Sequence, residues 1–487
     1  MTAKRLPLRF GATTALLLLS SAMAGPAWGE TLQGALIKAY HSNPTLTGTR
    51  AGQRATDENV PIEKAAGRPA LDATGTYSES ILKPTISFTS PQRTFDAGAQ
   101  LSVPIYSGGS VRNGVKAAKV RVEAGQANLR GTEASIFSQV VAAYMDVIRD
   151  GAIVSLNRAN VNVLEVNLQA TNDRFEVGDV TRTDVAQSES RLALARSDLQ
   201  TAEANLISSR ENYIALVGEA PDDLEHPPAL PGLPDSPVAA VQVALNDNPD
   251  IIAAKKASDA ARYDVKVAKA GTSPRLSAFT TAGYTNYLDT LENGTGAQIN
   301  KQAAAGVQIN VPLYQGGGPG ARVRQSQALE SQAIEQHIEV ERGVIAQTRA
   351  AYASLQASLQ TIASSQKAVD AASLSLEGVR AENSVGSRTI LDILNAEQEA
   401  LNARVELVSA RRNAYVAGFS LLAAMGHAEA RDLGLEGGAL YDPMVNYDRV
   451  KGKWFDWDYD RTPVPQATRT VDTPAQNANV QDEAALP

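Results

Sequence analysis

Apolar residues recur along this chain with two different periods, each in its own territory. In short stretches they alternate with polar residues one by one. Leu71, Ala73, Gly75 and Tyr77 lie between Asp72, Thr74, Thr76 and Ser78, and Ala97, Ala99, Leu101, Val103 and Ile105 lie between Asp96, Gly98, Gln100 and Ser102. Ala303, Ala305, Val307, Ile309 and Val311 repeat the pattern in the second half. A period of two gives strands with one apolar and one polar face. Four strands are predicted, two within 70–106 and two within 275–313, with "ILKPTISFTSPQR" and "LDTLENGTGAQIN" as hairpin tips.

Elsewhere the period is seven. Val147, Val154, Val161 and Leu168 are followed by a descending series, Val185, Leu192, Leu199, Leu206 and Tyr213. Leu355, Ile362, Val369 and Leu376, then Ile393, Ala400, Leu407, Ala414 and Leu421, do the same later. Sustained heptads mean helices that coil around one another, here as helical hairpins over 111–217 and 321–425. A continuous helix from Val111 to Arg174 would be about 95 Å long, a rod rather than part of a compact domain.

Both patterns occur twice. "VPIYSGGSVRNG" at Val103 matches "VPLYQGGGPGAR" at Val311, and "VGDVTRTDVAQSE" at Val177 matches "VGSRTILDILNAE" at Val385, each pair 208 residues apart. The chain is therefore a tandem duplication, with units 30–218 and 219–426. Each unit opens with shorter helices, within 30–66 and 238–272, divided at Asn43-Pro44 and Asn248-Pro249 and stopped by Pro69 and Pro274. Pro61 has no counterpart and predicts a kink. Residues 427–457 follow the second unit. The last stretch, 458–487, is polar, proline-rich and without apolar period, and reads as a disordered tail.

Composition narrows the address. Lys4, Arg5 and Arg9 precede an apolar stretch too short to span a bilayer, and small residues follow, so 1–29 reads as a cleaved signal peptide. The chain carries 45 basic against 53 acidic residues, a net charge of −8, which excludes a nucleic-acid partner. It has no cysteine, so an exported chain must rely on packing or assembly for stability.

Candidate chemistry is sparse. Gly316, Gly318 and Ala321 fit G-x-G-x-x-A, the fingerprint of a dinucleotide loop. That loop needs a parallel strand and a distant acid, and the first unit's copy, "YSGGSVRNG", lacks the pattern. Gly108, Gly109, Gly316 and Gly317 are instead read as corners where strand turns into helix, aided by Pro104 and Pro312. Gly178 and Gly386 are read as the turns of the helical hairpins. The four histidines lack metal-ligand spacing, and Ser364 to Lys367, an S-x-x-K match, falls in a coiled-coil run. No catalytic, cofactor or metal site is expected.

One-sided strands behind a signal peptide point to an outer-membrane β-structure, although a soluble sheet with one wet face fits alternation as well. Four strands cannot close a barrel, and an open edge in lipid leaves backbone groups unsatisfied. The chain must oligomerise, two copies giving eight strands and three giving twelve.

The opening "ETLQGALIKAYHSNPTL", both "VP-[IL]-Y-x-GG" corners, "F-x-VG" at Phe175 and "VGSRTILDILNAEQEALNAR" resemble the TolC family of outer-membrane export ducts, in its type I secretion and efflux branch. The resemblance implies an α+β membrane protein, a homotrimer with a twelve-stranded barrel and a tunnel of antiparallel coiled-coil helices through the periplasm. The shorter helices and 427–457 would form an equatorial belt. It also implies a periplasmic adaptor and an inner-membrane transporter, ABC or proton-driven, as partners. At the helix tips it implies an acidic constriction at Asp392, weakened because the next family acid is Asn395 here, and links between helices at Arg388, Asp184 and Asn383. Taken alone, Asp184 reads equally as a helix cap and Arg388 as a solvated tip charge. A stand-alone diffusion porin is the alternative function.

Overall fold

The computed structural model describes residues 29–82, 91–290, 297–435 and 440–480. The signal-peptide stretch, apart from Gly29, and much of both hairpin tips lie outside the described residues. The first unit comprises helices α1 (Leu32–Ser42), α2 (Pro44–Asp57) and α3 (Asn59–Ala65), strands β1 (Ala70–Glu79) and β2 (Arg93–Tyr106), and helices α4 (Ser110–Glu176) and α5 (Arg182–Val217). The second comprises α6 (Pro237–Asp247), α7 (Pro249–Lys269), β3 (Arg275–Asn286), β4 (Ile299–Asn310), α8 (Gly318–Ser384) and α9 (Ile390–Met425), and α10 (Pro443–Val450) follows. Both long helices, α4 and α8, have 67 residues, and both returning helices, α5 and α9, have 36.

The strands form one antiparallel sheet in the order β1-β2-β3-β4. Its register carries the apolar alternation across all four: Ala73 faces Ala99, which faces Ala282, which faces Ala303. Leu71, Tyr77, Val307 and Ile309 remain exposed on that face. The opposite face is polar, with Thr285 donating to Asp96 at 2.6 Å and Ser78 bonded to Thr94 at 2.5 Å. Phe279 is the exception, its ring lying over Gly306, where an added Cβ would come within 3.0 Å of it. β1 and β4 each keep one unpaired edge.

Strand becomes helix through paired glycines. Gly108 and Gly109 have φ of +64° and +85°, and Gly316 and Gly317 have +61° and +80°, a left-handed pair that side chains resist. Gly108 also has no room for a side chain, since a Cβ would lie 2.5 Å from that of Ser273. The prolines act differently from the expectation. Pro312 lies just past the end of β4, but Pro104 pairs with Ser277 inside the ladder and the strand runs on to Tyr106 through a bulge at Ile105. A proline at a bulge forfeits no ladder bond. Pro61 separates two helices rather than bending one: α2 ends at Asp57, whose carbonyl the missing N–H would have paired.

Short and long helices are spliced end to end by one residue type. Asn43 accepts from the N–H groups of Thr45 (2.9 Å) and Leu46 (3.3 Å) at the start of α2, and its amide donates to the carbonyl of Leu216 at the end of α5 (2.9 Å). Asn248 repeats this, accepting from Asp250 and Ile251 and donating to Ala424 of α9 at 2.9 Å. An asparagine carries both an acceptor and a donor, so it caps two helices at once.

The resulting helical layer runs in the order α2/α5, α4, α7/α9, α8. Each strand joins the column of its own rank: β1 follows α3 beside α2, β2 leads to α4, β3 follows α7, and β4 leads to α8. The main core lies where α1, α4, α5 and α9 meet, around Phe137, Tyr144, Leu206, Tyr213, Phe419 and Leu422. Arg412 of α9 grips both oxygens of Asp146 on α4 at 2.8 and 3.1 Å, tying the two units together. Position within the layer separates the duplicates. α4 buries 23 residues and α8 only five, leaving Leu329, Ile334, Leu359 and Leu374 exposed on a rod of the same length.

The tail departs from the disorder predicted for it. Residues 458–480 form an irregular strap on the belt: Arg210 donates to the carbonyls of Asn477 and Asn479, Gln476 donates to Glu211 at 3.0 Å, and Ala478 and Val480 pack on the core. Anchors made by a cation to backbone carbonyls leave no apolar period to read.

Asn248→Ala removes a cap and orphans the Ala424 carbonyl. It is expected to cost about 2 kcal/mol, and Asn248→Asp, which keeps only the acceptor, about half as much, in thermal unfolding followed by circular dichroism.

Candidate functional site

The two helical hairpins turn at Val177–Thr181 and Val385–Thr389, and they do so identically. Gly178 (φ +82°) donates to Phe175 at 3.0 Å while Asp179 donates to Arg174 at 2.9 Å; Gly386 (φ +81°) donates to Asn383 at 2.9 Å while Ser387 donates to Glu382 at 3.0 Å. These are Schellman closures, which require a left-handed residue after the helix. The returning helices start with a capping box. Asp184 Oδ2 accepts from the Thr181 N–H (2.8 Å) and hydroxyl (2.7 Å), and Asp392 Oδ2 accepts from those of Thr389 (2.9 and 2.7 Å).

Those bonds hold both carboxyls below the ordinary aspartate range. At Asp392 the Thr389 hydroxyl contributes most and its N–H next; at Asp184 the Thr181 N–H leads. Both are therefore charged at neutral pH. Arg388 Nε binds Glu382 Oε2 at 2.7 Å, which raises the guanidinium pKa further, and Asn383 donates to the Arg388 carbonyl at 2.7 Å. Within the chain, Asp184, Arg388, Asn383 and Asp392 thus all brace their own hairpin. Arg174 to Asp179, at 2.7 Å, does for the first turn what Arg388 to Glu382 does for the second.

The polar contacts between hairpins fall on other residues. Arg191 of α5 donates to Asn395 Oδ1 of α9 at 2.7 Å. Behind it, Glu397 is only 6% exposed and accepts from Asn167 of α4 on both oxygens at 3.1 Å and from Arg380 of α8 at 3.1 Å. One buried carboxylate therefore gathers three helices, beside an apolar cluster of Val161, Leu164, Leu192 and Leu394. The sequence carried a signal for it: Glu397 lies three residues after Leu394 and four before Leu401, a charge on an apolar stripe. Asn395 is placed at the surface as Arg191's acceptor.

The remaining predicted residues are dispersed. The four corner glycines lie at the opposite ends of the long helices, where sheet meets rod. Among the described residues, no group of acidic, histidine or cysteine side chains is arranged to hold a metal ion, and no helix is long and apolar enough to cross a membrane.

A one-sided sheet on a duplicated layer of helical rods defines an outer-membrane channel that joins a β-barrel contribution to a helical tunnel. Comparison agrees. Residues 36–219 and 240–427 match the model "Outer membrane efflux protein". The chain is 38% identical over 442 residues to the outer membrane efflux protein BepC of Brucella suis, covering 91% of this chain and 95% of that one. It is 27% identical to the outer membrane protein TolC of Vibrio cholerae, covering 88% and 97%. The outer membrane channel CmeC of Campylobacter jejuni shares the fold at a TM-score of 0.72 and 17% identity, over 86% of this chain and 89% of that one. The chain belongs to the outer membrane efflux protein family, whose members are channels of the outer membrane and not enzymes.

Two outcomes follow. A depressed carboxyl stabilises above its unfolded pKa and loses that contribution as pH falls through the folded value, so the tips should hold from neutrality down and loosen only below about pH 4. Hydrogen exchange at the amides of 181–184 and 389–392 reads this directly. Glu397→Ala leaves the Asn167 amide and Arg380 without their acceptor and should cost about 1–3 kcal/mol, seen as faster exchange in the last turns of α4 and α8. Glu397→Gln should cost less.

Proposed function

We propose that the chain is the exit duct of a tripartite export system, a homotrimer whose three sheets close a twelve-stranded barrel and whose three helical layers close a periplasmic tunnel. The observation that carries this is the matched pair of open edges. β1 and β4 are unpaired on opposite sides of the sheet, and α2/α5 and α8 end the helical layer on the same two sides. Repetition about an axis joins β4 to a neighbour's β1 and covers the apolar residues left exposed on α8. Four strands are too few for a barrel, and three copies give a number that closes.

In this reading the duct is passive and uses neither catalysis nor cofactor. It is closed at the tips, and a periplasmic adaptor with an inner-membrane transporter, ABC or proton-driven, opens it. Asp392, with Asn395 one turn on, lines the constriction, where three carboxylates favour cations. Arg388, Asp184 and Asn383 are proposed to link neighbouring hairpins in the closed trimer, in addition to bracing their own. Cargo, whether type I secreted protein or small toxic compound, is chosen upstream by the transporter.

The test is conductance of the purified protein in a planar bilayer. Arg191→Ala removes one link between hairpins in each protomer, worth about 1 kcal/mol apiece, and should raise the open population at least roughly fivefold. Asp392→Ala should lower cation preference. Large, unselective steps unchanged by either substitution would instead mark a permanently open diffusion porin.

A further inference from the structure

Four of the six residues Trp454–Tyr459 are aromatic, in a chain whose aromatic content is 5%. Phe455, Trp457 and Tyr459 are 77%, 81% and 78% exposed. Exposed rings in such density are unusual for a surface that meets only water. The segment is nevertheless held firmly. Lys64 donates to the Lys451 carbonyl and Arg68 to the Lys453 carbonyl, both at 2.6 Å, and the Arg68 guanidinium lies 4.5 Å over the Trp454 ring. On the far side Arg449 binds both oxygens of Asp460 at 2.6 and 2.8 Å, and Lys453 reaches Asp458 at 3.2 Å.

Its height in the molecule is set by those contacts. Arg68 stands two residues before Ala70, where β1 begins, and Leu71, the first outward apolar residue of that strand, is 73% exposed. The aromatic segment therefore stands level with the start of β1, at the end of the sheet where strands pass into helices. Asp448, Asp458 and Asp460 are matched by Lys451, Lys453 and Arg449, while Lys64 and Arg68 spend their bonds on backbone carbonyls and keep their charge.

We propose that Trp454–Tyr459 is an interfacial anchor, seated among the phospholipid headgroups of the periplasmic leaflet of the outer membrane. Tryptophan and tyrosine partition to that depth because one end of the ring system is apolar and the other forms hydrogen bonds with water and headgroups. The surrounding cations face lipid phosphates. A band of aromatics on the barrel alone would fix its depth; this segment fixes the belt against the same leaflet from outside the barrel.

The inference rests on the duct reading, so the test reports on both. The full mature protein is reconstituted in phosphatidylethanolamine and phosphatidylglycerol vesicles, with acyl chains plain or brominated near the headgroup, and channel conductance is recorded alongside tryptophan emission. Of the chain's three tryptophans, Trp28 lies in the predicted signal peptide, so the mature protein keeps Trp454 and Trp457, and subtracting the emission of a Trp457→Phe variant isolates Trp457. We expect brominated lipid to lower the Trp457 emission about twofold, with a comparable loss of quenching by aqueous acrylamide. A conducting channel whose Trp457 ignores brominated lipid overturns the anchor and leaves the duct standing. That holds whether the ring stays open to acrylamide or is shielded from it, the latter placing it against protein. Absence of both conductance and quenching overturns the duct reading and the anchor with it.

Discussion

A strand edge in hydrocarbon cannot leave its N–H and C=O groups unpaired, and the rest of this molecule is arranged around that constraint. Each unsatisfied group costs several kcal/mol where no water can reach it. Internal pairing settles the matter for β2 and β3 and leaves β1 and β4 open. Because every strand continues into the helical column of the same rank, the open edges of the sheet are projected along the whole length of the rods. α8 accordingly buries five residues where its duplicate α4 buries 23. The same sequence pattern, placed at an edge, stays exposed.

Joining a sheet to a coiled coil in strict rank requires corners that do not drift. Two consecutive left-handed glycines make each corner, and the asparagine splice brings the short helices to the long ones without a gap in hydrogen bonding. The corners are 208 residues apart and the splices 205, so the units are spaced differently before and after the strands. Asn43 to Ala70 and Asn248 to Arg275 are equally long, so the difference is absorbed within the strand hairpins, and Pro61 cuts the first unit's helix in two without changing the count. The second unit's α7 runs unbroken for 21 residues.

The sequence disclosed whatever repeats. Strands, rods and their duplication are periodic, so Leu71 to Tyr77 and Val147 to Leu168 declare their faces by spacing alone. The turns at Gly178 and Gly386 were legible because a left-handed residue is chemically particular. Features held by single polar contacts were not. Pro104 looked like a strand terminator, since a bulge at Ile105 leaves no trace in composition. The strap from 458 to 480 looked disordered because Arg210 grips carbonyls, which every residue has. Glu397 could be seen as a charge on an apolar stripe, but its partners Asn167 and Arg380 lie on helices that only the fold brings near.

At the tips, folding and the proposed gate share the same atoms. A helix that starts after a tight turn needs an acceptor for its first N–H groups, and a carboxylate three residues in supplies it. Asp184 and Asp392 do this at equivalent places, and both remain ionised because capping favours the charged form. Negative charge at the mouth of the proposed tunnel therefore comes as a by-product of starting two helices there. It follows that removing Asp392 alters helix start and electrostatics together, whereas Arg191 and Asn395 meet only across the gap between hairpins. The link, rather than the charge, is where closure can be separated from folding.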